Sequence, residues 1–228
     1  MHHVILNEAI NFEKKVIFVA IPKNGTTSVR SQLVQRGRAL VPNPHLSITQ
    51  IRDSIYTFLL LKALGQNRSF PSREVQSDED VRNESKLVFS TFFKFSGVRN
   101  PWARAFSLFM RREGIQTVSK ISFEQFCENL TYASDTCMHP TLHRNQFDWL
   151  CDKSGNCLMD YVYRLEEFDL AVDEISRRSH GRLELKTKRL NSNPKIPSQA
   201  YREVYSARSK RLIAERFARD IELFKYQF

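Results

Sequence analysis

The stretch 19–30, VAIPKNGTTSVR, predicts how the N-terminal part of the chain folds. It extends an apolar run that begins at Val16 and is typical of a buried strand, and Pro22 ends that run. Polar residues 23–28 then form a short loop, after which the pattern predicts a helix. A strand that leads through such a loop into a helix is a common way to hold a phosphate group.

The polar loop contains candidate anion ligands. Gly25 lets the backbone approach an oxyanion closely, the neighbouring amides can point inward, and Lys23 supplies a full positive charge. This lysine precedes the glycine, whereas nucleoside-triphosphatase loops carry it after their last glycine and place the next hydroxyl on magnesium. The sequence therefore predicts an anion-binding loop of a different kind. Its candidate ligands are Lys23, Asn24, Gly25, Thr26, Thr27 and Ser28.

A second strand with a polar tip lies at 90–100, STFFKFSGVRN. Its phenylalanines form an apolar run, and Asn100 and Pro101 are typical of a helix cap and of the first helical position. Both strands thus lead into helices through polar turns, and ligands of parallel sheets bind at the carboxyl ends of strands. We predict a single α/β domain over residues 1–228, with a P-loop-like, mostly parallel β-sheet flanked by helices.

Composition and charge narrow the partners and the location. The chain carries 35 Lys and Arg residues against 25 Asp and Glu, and its formal charge of +10 favours anionic partners. No apolar run approaches the roughly 20 residues of a membrane span, and no cleavable signal pattern is seen, so we expect a cytoplasmic protein.

Cys151 and Cys157 lie across a predicted turn, and we expect the cysteines to be reduced. Residues 66–86 are polar and aperiodic, which predicts a surface loop or lid.

Two segments resemble the sulfotransferases that use 3'-phosphoadenosine 5'-phosphosulfate (PAPS). Residues 22–27, PKNGTT, are similar to the 5'-phosphosulfate loop of that family. Residues 98–109, VRNPWARAFSLF, are similar to its 3'-phosphate segment. The resemblance implies that Arg99 and Ser107 bind the 3'-phosphate, whereas Arg104 also matches but is expected to be structural.

Further similarity extends the resemblance to about residues 16–60 and 90–228. The stretch 145–169, NQFDWLCDKSGNCLMDYVYRLEEFD, is similar to the carbohydrate sulfotransferases of the Golgi-type and bacterial branch, and so is the C-terminal helix. This implies in-line transfer of the sulfuryl group of PAPS to a hydroxyl of a carbohydrate or glycoconjugate. Lys23 and the loop amides would then stabilise charge on the departing phosphate.

An attacking hydroxyl must lose its proton, which predicts a base of near-neutral pKa within hydrogen-bond reach. We select His45, in PNPHLSITQIR, because it looks like the histidine that opens the acceptor-side segment of related carbohydrate sulfotransferases. His143 is a rival base, and an acidic residue of 66–86 is a third candidate. The alternative for His45 is a histidine packed between Pro44 and Leu46 at a helix entry.

Other functions stay open at this point. A nucleotide-dependent phosphotransferase would need magnesium ligands and a lysine after the glycine, and only the charge favours a nucleic-acid-binding module. The Cys and His residues of 137–157 lack the paired spacings of usual zinc sites, apart from His139 and His143. We therefore predict PAPS as the bound cofactor, no metal ion and no nucleic-acid partner.

Overall fold

Strands and helices alternate in the computed structural model, which describes residues 4–33, 35–67, 76–115, 121–132, 144–187, 190 and 200–228. The strands in these ranges are β1 (Val4–Ile5), β2 (Ile10–Asn11), β3 (Val16–Val19), β4 (Arg38–Ala39), β5 (Phe93–Val98) and β6 (Tyr161–Arg164). The α-helices are α1 (Thr26–Arg30), α2 (Ile48–Asn67), α3 (Asp78–Thr91), α4 (Pro101–Ile115), α5 (Phe123–Tyr132), α6 (Phe168–Arg178), α7 (Tyr201–Val204), α8 (Ala207–Arg216) and α9 (Ala218–Phe224). Gln146–Trp149 and Leu165–Glu167 form single 3-10 turns. Within the described ranges, no helix combines the length and apolarity needed to cross a lipid bilayer.

The central sheet has the strand order β2, β3, β5, β6. β3 and β5 are parallel, with Val16 opposite Phe93, and β5 and β6 are parallel, with Phe95 opposite Tyr161. β2 is antiparallel to β3, while β1 and β4 form a separate parallel pair. This topology confirms the predicted α/β fold with a mostly parallel sheet. The carboxyl ends of β3, β5 and β6 consequently meet at one edge, where ligands of such sheets bind.

Helices pack on both faces of the sheet because its parallel strands are apolar on both sides. Ile17 and Val19 of β3 belong to a core that includes residues of α2 and α4. Val16 and Phe18 point to the opposite face and belong to a second core, with residues of α1 and α6. The two cores hold the strand ends, and therefore the loops that follow them, in fixed positions.

The prediction of a loop or lid over residues 66–86 is wrong at both ends of that range. Helix α2 continues to Asn67, and α3 begins at Asp78 after a capping box, in which Ser77 Oγ accepts from Asp80 N at 3.1 Å and Asp80 Oδ2 accepts from Ser77 N at 2.9 Å. Residues 68–75 lie outside the described ranges. The apolar period of α3 was hidden because a serine, Ser85, occupies a buried position one turn after Val81.

The predicted cap of α4 is present. Asn100 Oδ1 accepts hydrogen bonds from Trp102 N at 3.1 Å and from Ala103 N at 3.4 Å, and Pro101 is the first helical residue. The cap fixes the direction in which α4 leaves the tip of β5. It thereby places Ser107 about two turns along the helix from this sheet edge.

Candidate active site

The loop between β3 and α1 has an unusual backbone. Lys23 and Gly25 both have left-handed conformations, with φ of 71° and 69°. Left-handed residues in such a turn let successive N–H groups face one concavity, which is how backbone amides bind anions. A side chain at Gly25 would be strained, and its Cβ would lie 2.6 Å from Leu165 Cδ1.

Three of the predicted loop amides are available for a ligand. Those of Gly25, Thr26 and Thr27 donate no hydrogen bond to any described part of the chain. Those of Asn24 and Ser28 donate to backbone carbonyls three residues earlier, at 3.3 Å and 3.1 Å. Fewer amides of residues 24–28 are therefore available to an anion than predicted, because hydrogen bonds within the turn use the first and the last of them.

The side chains of Ser28 and Asn24 are bound within the protein. Ser28 Oγ accepts a hydrogen bond from Leu190 N at 2.8 Å, which ties α1 to the C-terminal part of the chain. Asn24 is buried, and its Nδ2 donates to Gly97 O at 2.8 Å and to Gln146 Oε1 at 2.6 Å. Its Oδ1 accepts no hydrogen bond from the described residues. Both side chains thus hold the loop in position.

Arg99 connects the tip of β5 to the loop. Its Nη1 donates to Lys23 O at 3.0 Å, so the two predicted cationic residues lie at the same sheet edge. Burial lowers the pKa of Arg99, and the Glu166 carboxylate opposes that shift. The guanidinium nevertheless stays protonated at neutral pH, as arginine does in proteins. A poorly hydrated cation beside a cluster of backbone donors is suited to bind an anion.

Ser107, the predicted partner of Arg99, lies half-buried on α4. Its hydroxyl makes no hydrogen bond to the described residues, and no described contact joins it to Arg99. Its role in binding a 3'-phosphate stays a prediction.

Gln146 is the residue that sequence reasoning missed. It is fully buried, and its Oε1 accepts from Arg99 N at 2.8 Å as well as from Asn24. Its Nε2 donates to Arg99 O at 2.8 Å and to Asp220 Oδ2 at 3.2 Å. One side chain therefore holds the loop after β3 and the tip of β5 together. The sequence shows this glutamine in the stretch NQFDWL, but its burial depends on tertiary packing and so could not be predicted from the sequence.

Asp220 of α9 holds Gln146 in position through hydrogen bonds. Its carboxylate accepts from Gln146 N at 2.7 Å and from Phe147 N at 3.0 Å. Burial raises the pKa of Asp220, while these backbone hydrogen bonds and the nearby Arg104 favour the ionised form. The C-terminal helix is in this way part of the support of the site.

Arg104 is almost completely buried beneath the loop, at 1% exposure. Its Nε donates to Pro22 O at 3.2 Å. Burial lowers the pKa of Arg104 to about 10, opposed by the attraction of Asp220. These contacts match the structural role that was expected for Arg104.

The predicted base lies at the same sheet edge. His45 Nδ1 is 2.7 Å from Ala20 O, the carbonyl just beyond the end of β3. A carbonyl only accepts, so Nδ1 carries the proton in this contact and the basic nitrogen of the neutral ring is Nε2. The ring is thus held by a polar contact with the backbone. The rival His143 lies outside the described ranges.

The sequence model of the Sulfotransferase family matches residues 9–227. The chain belongs to the sulfotransferase family. The matched range contains both strand tips, Gln146 and Asp220. It confirms the family that residues 22–27 and 98–109 predict. No curated protein and no solved structure matches the chain significantly.

The donor set of this sulfotransferase fits a ligand with two phosphate groups. Lys23, Arg99 and the three available amides are all hydrogen-bond donors, and two of them carry positive charge. Among the described residues, no three His, Cys, Asp or Glu side chains are grouped as metal ligands. Cys137, His139 and His143, which the zinc alternative needs, lie outside the described ranges.

Proposed function

We propose that this sulfotransferase moves the sulfuryl group of PAPS to a hydroxyl of a carbohydrate or glycoconjugate. The observation that carries the proposal is the contact of Arg99 Nη1 with Lys23 O, at 3.0 Å. It brings the loop that resembles a 5'-phosphosulfate site next to the arginine that resembles a 3'-phosphate ligand. PAPS carries anionic groups at both of these positions, which favours it over a nucleotide with a single phosphorylated position.

The loop residues would act on the charge that develops during transfer. PAPS supplies an activated sulfuryl group, and an in-line displacement at sulfur leaves negative charge on its 5'-phosphate. The ammonium of Lys23 supplies a positive charge, and the amides of Gly25, Thr26 and Thr27 are donors held in place by the backbone, so they stabilise that charge with little reorganisation. Arg99, with Ser107 as the expected second ligand, holds the other end of the nucleotide.

His45 would remove the proton of the acceptor hydroxyl. Its Nδ1 contact with Ala20 O orients the ring and leaves Nε2 as the proton acceptor. The same contact stabilises the imidazolium that forms when Nε2 takes the proton, because the carbonyl dipole points at the charged ring. The carbohydrate acceptor is proposed from the resemblance of residues 145–169. The cytoplasmic location stays a prediction, which fractionation of cells that express the chain would test.

Transfer of radiolabelled sulfate from PAPS to a panel of glycans and small hydroxyl compounds tests the proposal. We expect label on at least one glycan and none on the same glycan after its hydroxyls have been methylated. Label found only on non-carbohydrate alcohols would contradict the acceptor class. Transfer of phosphate from a nucleoside triphosphate, without sulfate transfer, would contradict the proposed donor and favour a phosphotransferase.

A further inference from the structure

A short hairpin after Gln146 brings two cysteines face to face. Cys151 and Cys157 are partners in an antiparallel bridge. The hydrogen bonds Asp152 N to Asn156 O, at 3.0 Å, and Leu158 N to Leu150 O, at 2.9 Å, lie on either side of the pair. This pattern makes the cysteines a non-hydrogen-bonded pair, the type in which opposite side chains lie closest.

The backbone of such a pair is suited to a disulfide. Cα atoms in a non-hydrogen-bonded pair are about 4.5 Å apart, and their side chains lie on the same face of the ribbon. Disulfides join Cα atoms about 4.4 to 6.8 Å apart. A bond between Cys151 and Cys157 therefore requires rotation of the side chains but no rearrangement of the hairpin.

We propose that Cys151 and Cys157, which the structure records as free thiols, are a disulfide-forming pair that closes this hairpin under oxidising conditions. The oxidant is a small-molecule disulfide. The thiolate of the exposed Cys157 attacks it, forming a mixed disulfide and releasing one small thiol. The thiolate of Cys151 then attacks the Cys157 sulfur and releases the second small thiol. Two protein thiols are oxidised, one small disulfide is reduced to two thiols, and the protons pass through solvent.

The order of the two attacks follows from accessibility. Cys157 is exposed, whereas Cys151 is buried and burial raises its pKa. Attack by Cys151 becomes fast once the mixed disulfide holds the target sulfur beside it, because the second step is intramolecular. The third described cysteine, Cys127, is buried in helix α5, outside the hairpin.

The hairpin directly follows the segment that supports the active site. Arg219 Nη1 donates to Asp148 Oδ1 at 3.0 Å, and the Arg219 guanidinium lies 4.2 Å from the centre of the Phe147 ring. Arg219 precedes Asp220, which anchors Gln146. A cross-link in this hairpin therefore restrains a segment that leads directly from the Gln146 turn. It should stabilise the fold while leaving the ligand-binding residues in place.

Peptide mapping of the full chain tests the proposal. The protein is incubated with oxidised glutathione, its remaining thiols are alkylated, and it is digested with trypsin without reduction. Cleavage after Arg144, Lys153 and Arg164 gives peptides 145–153 and 154–164, each with one cysteine of the pair. We expect these two peptides to be joined by a disulfide that dithiothreitol releases. Alkylation of both cysteines, or joining of either one to Cys137, would overturn the proposal.

Melting temperatures of three variants test the consequence. Oxidation should raise the Tm of the wild-type chain by about 4 °C or more, because a disulfide restricts the unfolded chain. The matched control Cys127→Ser should show the same rise between its reduced and oxidised forms. Cys151→Ser and Cys157→Ser should show none. A rise that persists in Cys157→Ser would overturn the proposal, because it would come from another cysteine pair.

Discussion

Two layers of the active site differ in how they use their polar groups. The upper layer, which we define as Lys23, the amides of 25–27, Arg99 and His45, lies at the carboxyl edge of the sheet, and its three amides donate no hydrogen bond to the described residues. The buried layer, defined as Asn24, Gln146, Arg104 and Asp220, uses its donors and acceptors within the protein. We therefore expect the upper layer to determine catalysis and ligand binding, and the buried layer to determine the stability of the fold and the position of the loop.

Lys23→Ala tests the upper layer with the largest expected effect. We expect turnover to fall about 100- to 1,000-fold, since loss of one donor to a developing negative charge has effects of this size. The melting temperature should change far less than turnover, because the variant keeps the backbone carbonyl of residue 23 that accepts the hydrogen bond from Arg99. Steady-state kinetics and thermal denaturation measure the two quantities. Lys86→Ala, on the exposed face of α3, is the matched control, and unchanged turnover in Lys23→Ala would remove this lysine from the mechanism.

His45→Ala should be the next most severe change, with turnover reduced by roughly 100-fold because a general base is lost. Binding of adenosine 3',5'-bisphosphate should be unchanged in this variant. Wild-type turnover should fall as the solution is acidified, because a protonated base cannot accept the hydroxyl proton. His180→Asn serves as the control for loss of an exposed histidine. An unaltered pH profile in His45→Ala would move the base to another residue.

Gln146→Ala tests the buried layer. It leaves the Arg99 backbone N–H and C=O without their side-chain partner and removes one of the hydrogen bonds to Asp220, so we expect the free energy of unfolding to fall by about 2 to 3 kcal/mol. Denaturant titration measures this change. Bisphosphate affinity should also fall, because the loop and the tip of β5 lose their link. The exposed Gln125→Ala, which removes only a cap of α5, should lower stability by about 1 kcal/mol or less. Equal stability losses in the two variants would contradict the division into layers.

A metal chelator should have the smallest effect of all, leaving sulfate transfer unchanged. The upper layer stabilises charge with a lysine and backbone amides, and Lys23 precedes Gly25 instead of following a second glycine. Activity in excess chelator is the measurement. Loss that magnesium restores would favour the phosphotransferase alternative, and loss that zinc restores would point to the cysteines and histidines of 137–157.

The two layers also differ in how well the sequence predicts them. The turn at 23–25 and the tip at 99–100 were predictable, because glycine, proline and asparagine mark backbone positions locally and cations mark anion sites. The loop predicted over residues 23–28 is too long, because α1 begins at Thr26. Gln146 and Asp220 were not, because they are 74 residues apart in sequence and their pairing arises only when α9 packs beside the 3-10 turn.

Helix α3 was missed for a related reason. Its buried face includes Ser85, and whether a small polar residue is buried depends on the neighbours that cover it. Ser77 and Asp80 nevertheless form a capping box, a local signal that the sequence does contain. The fold class was predicted correctly because the apolar runs of β3 and β5 are long enough to indicate buried parallel strands.

The central claim is that Lys23 and Arg99 belong to one site with two phosphate positions. Thermal denaturation with adenosine 3',5'-bisphosphate and adenosine 5'-phosphate, at equal concentrations, tests it most directly. We predict that the bisphosphate at 100 times its Kd stabilises the wild-type chain by about 2.7 kcal/mol, and that the monophosphate stabilises it much less. In Arg99→Ala the two nucleotides should become nearly equal. Equal shifts in the wild-type chain, or no shift with either nucleotide, would contradict the account.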